Sequence, residues 1–194
     1  AGSARASGAY NNLIQLDNSV STHPAVATGS MVSHDSTNDP VENANLAYSH
    51  SFNCTGCRTV TVALQAVIIE ANPTTIAPQN AAVAVNENCQ SCLTFAYAHQ
   101  YVFSPHHPVI LDGESNSQLQ MIQSYIDHEA NSGEDFALLS SHLDNASWAF
   151  CYVVQRAVQR QDNQGGDHKS STGSPTVCGA APFDHRQVAN RSGS

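Results

Sequence analysis

The feature that most constrains this chain is an internal repeat with an offset of 35 residues. Residues 53–69 read NCTGCRTVTVALQAVII and residues 88–104 read NCQSCLTFAYAHQYVFS. Seven of the seventeen positions are identical, and both cysteines of each Cys-X-X-Cys stand in register. Upstream, Asn45 and Ala47 match Asn80 and Ala82. Two copies of one unit must therefore share one local structure. Each unit reads as a hairpin: a short strand (about 45–51 and 80–86), a Cys-X-X-Cys turn, then a long strand (58–70 and 93–103). The long strands are rich in Val, Ile, Phe, Tyr and Thr, which suit a pleated, half-buried surface. The period of two places Val60, Val62, Leu64, Ala66 and Ile68 on one face of the first. Phe95, Tyr97, His99, Tyr101 and Phe103 share a face of the second. Weaker strand signals lie at 12–16 and 29–33.

After Pro108 the hydrophobic period changes to that of helices. Leu119, Ile122 and Ile126 follow a possible capping box of Ser117 and Gln120. Phe136, Leu139 and Leu143 predict a second helix. Phe150, Val154, Ala157 and Val158 predict a third, starting near Asp144. The fold class expected is α+β, with a β-rich first half followed by helices. Residues 10–160 read as a single domain, with the repeat at 45–69 and 80–104. It is flanked by a small-residue extension at 1–9 and an irregular tail at 161–194.

Charge narrows the function. Lys and Arg number 7 against 16 Asp and Glu among 194 residues, for a net charge of -9. Lys169 is the single lysine. Nucleic-acid binding needs a basic footprint that this composition lacks. No apolar run approaches the roughly 20 residues of a membrane-spanning helix. Sparse charge with abundant Ser, Asn, Thr and Gln is the habit of extracellular surfaces. The chain starts at Ala1, as a mature product would after loss of a signal peptide. The expected location is therefore secreted and extracellular.

Six cysteines, Cys54, Cys57, Cys89, Cys92, Cys151 and Cys178, fit three disulfides in an oxidising compartment. A four-residue turn brings its first and fourth Cα within about 7 Å, so each Cys-X-X-Cys can close locally. Cys151 and Cys178 would then pair. Disulfides between the two units are an open alternative. So is a zinc ion held by Cys54, Cys57, Cys89 and Cys92; otherwise no cofactor or metal is expected. Asn53, Asn145 and Asn190 head Asn-X-Ser/Thr sequons and are possible glycosylation sites. His106 and His107 form a loop pair with no neighbouring carboxylate. No H-E-x-x-H, G-x-S-x-G or phosphate-binding loop occurs, so no catalytic residue is assigned and no enzyme is expected.

The matched positions Asn45, Cys54, Cys57, Thr59, Val60, Gln65, Val67, Pro78, Asn80, Ala82, Val83, Asn86, Cys89, Cys92, Thr94, Ala98, Gln100 and Val102 carry a resemblance. The pattern resembles a bacterial family whose members are often labelled putative peptide zinc metalloproteases. The likeness covers roughly residues 9–158. The chain lacks the peptidase motif, so the resemblance implies a secreted, Cys-X-X-Cys-stapled module and no protease activity. The function expected is a non-enzymatic extracellular structural protein that assembles with copies of itself into a filament or coat. The alternatives are a monomeric secreted binding module and a zinc-binding peptide-processing module.

Overall fold

The computed structural model describes residues 10–18, 24–164 and 177–179. Six strands come first: β1 (Tyr10–Asp17), β2 (Ala25–Asp35), β3 (Val41–Phe52), β4 (Arg58–Ile69), β5 (Ile76–Glu87) and β6 (Leu93–Phe103). Two helices follow, α1 (Gly113–Asn131) and α2 (Phe136–Gln164). The α+β expectation holds, with the strands in the first half and the helices after them.

The two-strand unit is not a hairpin. β3 pairs in parallel with β1 and β5, and β4 pairs in parallel with β2 and β6. The strands therefore form two three-stranded sheets, ordered β1-β3-β5 and β2-β4-β6. The chain alternates between them, one strand in each, so three coils stack as a short β-solenoid. The register advances 34 residues between the first two coils (Asn11↔Asn45) and 35 between the last two (Asn45↔Asn80). The physical reason lies in the repeat itself. Parallel in-register stacking places identical residues over one another, so that amides and thiols form ladders. A hairpin would have opposed unlike residues.

Each Cys-X-X-Cys segment is the arc that carries the chain from one sheet to the other. The reversal needs left-handed backbone at Asn53 (φ 52) and Gly56 (φ 70), and again at Asn88 (φ 49) and Ser91 (φ 57). Asn and Gly tolerate that region best. The arcs stack as the strands do: the Gly56 N–H donates to the Gln90 carbonyl at 2.8 Å, and the Leu93 N–H to the Cys57 carbonyl at 2.8 Å.

Across the arc, β3 and β4 face each other through their side chains. Ser51 meets Thr59 and Ser49 meets Thr61, each at 2.6 Å. The opposite face of β4, namely Val60, Val62, Leu64, Ala66 and Ile68, packs with Ile126, Leu139, Leu143, Phe150 and Val154 of the helices. That face agrees with the period-two reading.

The helices differ from expectation in two places. Asp112, not Ser117, caps α1 by accepting the Ser115 N–H at 2.8 Å. This holds its carboxyl below the ordinary range, chiefly through that backbone bond. The expected second and third helices are one, because α2 runs unbroken through Asp144. Asp144 instead accepts the Tyr97 hydroxyl at 2.9 Å. The 1–9 extension and most of the 161–194 tail lie outside the described residues, although α2 continues into the latter as far as Gln164.

Candidate functional site: open coil edges and a cysteine centre

An asparagine ladder runs the length of the solenoid. Asn11 donates to Asn45 at 2.9 Å, and Asn45 donates to Asn80 at 2.7 Å. The same amides tie the two sheets together. Asn11 bonds the Leu64 carbonyl, Asn45 the carbonyls of Ala63 and His99, and Asn80 the carbonyl of Ala98. Asn45 is 1% exposed. Asn80, the same residue in the same register, is exposed. The difference is the missing neighbour: among the described residues nothing pairs with the outer edges of β1, β2, β5 or β6. Ala82, Ala84 and Asn86, which continue the inward row of β5, are exposed as well. On the outer face of the first sheet, Ile14, Leu16 and Val83 are exposed apolar residues at the two edges. Sequence reasoning matched Asn45 with Asn80 but missed Asn11. Its signal was the 34-residue step, hidden because β1 shares little else with β3.

The cysteines lie beside the last coil edge. Cys54 and Cys57 are disulfide-bonded, and so are Cys151 of α2 and Cys178. Cys89 and Cys92 are thiols, so the second of the two local disulfides that were expected is not formed. In the stacked arcs their sulfurs lie 3.5 Å and 3.6 Å from the Cys54 sulfur. Desolvation, followed by the hydrogen bond to Cys92, pushes the Cys89 thiol up. The arcs line a shallow depression of about 560 Å³ with Asn53, Thr55, Asn88 and Gln90.

Three of these sulfurs lie within 4.8 Å of one another. Their separations approach the ~3.8 Å edge of a tetrahedron with zinc–sulfur bonds of about 2.3 Å. As paired here, Cys54 is bound to Cys57, so the cluster offers two thiols and a disulfide sulfur; a zinc ion held by all four cysteines would need Cys54 and Cys57 as thiolates.

Asn53 is exposed in its arc and accepts from Asn88 at 3.3 Å; Asn145 is exposed on α2; Asn190 lies outside the described residues. His106 and His107 sit in the exposed connection before α1 and join no metal-ligating cluster among the described residues.

A further cluster had no sequence signal, because its members come from three segments. His142 of α2 meets Glu129 of α1 at 2.8 Å and Glu134 of the connection at 3.2 Å. Those contacts, led by the hydrogen bond to Glu129, raise the imidazole above its ordinary value. Arg58 adds charge balance near Glu134, with its guanidinium 4.2 Å over the Phe136 ring. The cluster is a clasp between helices.

The fold defines a short β-solenoid, one side covered by a helical hairpin and, among the described residues, with open ends. No family model, curated protein or solved structure matches the chain, and the family resemblance rests on the residues quoted for it alone. Among the described residues no helix is long and apolar enough to cross a membrane.

Proposed function

We propose that this chain is an extracellular, non-enzymatic structural subunit that assembles with copies of itself by adding coils at its open edges. The observation that carries the reading is the contrast between Asn45 and Asn80. The middle coil buries the ladder, and the last coil leaves the same ladder bare. An exposed strand edge presents a row of backbone donors and acceptors that another strand can satisfy. A second copy carries a strand with the matching asparagine. Sparse charge favours such stacking, because few like charges are brought together. The disulfides suit an oxidising compartment.

The test is the oligomeric state of the purified, oxidised protein, by light scattering behind size-exclusion chromatography and by negative-stain microscopy. Concentration-dependent large species are expected. A chain that stays monomeric up to about millimolar concentration, well above ordinary association thresholds, would overturn the proposal.

A further inference from the structure

The helical hairpin lies along the strands it covers. Ser30 of β2 donates to Gln123 of α1 at 2.7 Å, and Thr28 donates to Asp127, so α1 runs against the direction of β2. Phe95 of β6 meets Phe136, while Tyr97 meets Asp144 and Tyr101 meets Ser147, so α2 runs along β6. One helix therefore sits over each outer strand of the β2-β4-β6 sheet. Within a subunit those strands are two spacings apart, about 9.6 Å, which matches the 8–10 Å that packed helices require.

Between subunits the match fails. If β6 of one copy paired with β2 of the next at about 4.8 Å, the helices above them would be held equally close, well under the 8 Å minimum. Among the described residues the β1-β3-β5 sheet carries no helical layer. We infer that copies join head to tail through that sheet alone, the β5 edge of one against the β1 edge of the next, with the helical hairpin acting as a wedge that bends the assembly.

The solenoid's own register fixes the partners. Since Tyr10, Ala44 and Gln79 share one row, the next copy places Asn11 on Asn80, Leu13 on Ala82, Gln15 on Ala84 and Asp17 on Asn86. On the outer face Ile14 meets Val83 and Leu16 meets Val85, which covers three exposed apolar residues of the two edges, Ile14, Leu16 and Val83. Inside, small alanines receive the larger Leu13 and Gln15. The contact is heterologous, so it runs on without closing in pairs. Opening the helical layer by 3–5 Å about the first sheet, some 20 Å away, tilts each junction by roughly 10–15°. The helices lie on the convex side.

This inference rests on the self-assembly reading, and the test separates the two. Ala84 is exposed in the single subunit, so Ala84→Lys leaves the fold intact, as circular dichroism can check. It buries a charge at the junction and should raise the concentration needed for assembly at least about tenfold. Adding Gln15→Glu to the same chain places a carboxylate opposite that lysine in the next copy and should restore assembly to within about threefold. Microscopy of the wild type should show uniformly curved rods. A monomeric wild type overturns the functional proposal itself. A wild type that assembles while Ala84→Lys has no effect, Gln15→Glu fails to rescue, or the rods are straight overturns the junction and leaves self-assembly standing.

Discussion

The two faces of β4 are both buried, yet they are built from different chemistry. Toward the helices stand Val60, Val62, Leu64, Ala66 and Ile68. Toward β3 stand Thr59, Thr61, Ala63, Gln65, Val67 and Ile69. The first face meets large side chains set by helical spacing, and its stability comes from apolar area and close packing. The second meets Thr94, Ala98, Gln100 and Val102, the same residue types one coil on, at Thr59, Ala63, Gln65 and Val67, and its stability comes from hydrogen-bonded rows: Asn11–Asn45–Asn80, Gln100 to Gln65 at 2.6 Å, and Ser49 bridging Thr61 and the Phe95 carbonyl. An apolar layer can be finished by one subunit. A polar ladder has two ends wherever it stops, and among the described residues those ends lie at the seam and not at the helical layer.

The largest effect should come from the apolar layer. Phe150 is 1% exposed in the centre of that cluster, and Phe150→Ala should cost about 3–5 kcal/mol of stability, read from urea unfolding. A loss under about 1 kcal/mol would mean that the helices add little to the solenoid.

The seam should respond less in size and differently in kind. Asn45→Ala removes the donor from the Ala63 and His99 carbonyls and from the Asn80 side chain, leaving buried acceptors unpaired. A cost of about 2–3 kcal/mol is expected. Asn45→Leu should do no better, although it restores apolar volume. If the leucine variant matched the wild type, the seam would be an ordinary hydrophobic core.

The smallest effect belongs to the clasp between the helices. Because the folded protein raises the His142 value, the stabilisation is full below the unfolded value and is lost as pH rises through the folded one. The wild type should therefore melt above His142→Gln at about pH 5.5 and converge with it by about pH 8.5. His142 is partly exposed, which keeps the difference small. A gap that widens with pH would reverse the assignment.

Much of this was legible beforehand. The strands at 58–70 and 93–103, the inward and outward faces of β4, and the helical spacing of Ile126, Leu139, Leu143 and Phe150 follow from side-chain period. The pairing was not, because an arc between sheets and a hairpin within one have the same local pattern; only the choice of hydrogen-bonding partner differs. The N-cap was misplaced because Ser117 and Gln120 satisfy a local rule that Asp112 satisfies earlier in the chain. The clasp of Glu129, Glu134 and His142 was invisible, since no short motif links its residues.

By itself, then, the sequence determined which residues repeat, which alternate and which follow a helical turn, since these are short-range consequences of backbone geometry. The tertiary structure decided that like stacks on like, that Cys89 and Cys92 lie against Cys54, and that the two helices pack on the β2-β4-β6 sheet. Those outcomes depend on contacts between segments more than thirty residues apart, where burial and ladder formation, and not local preference, set the lowest free energy.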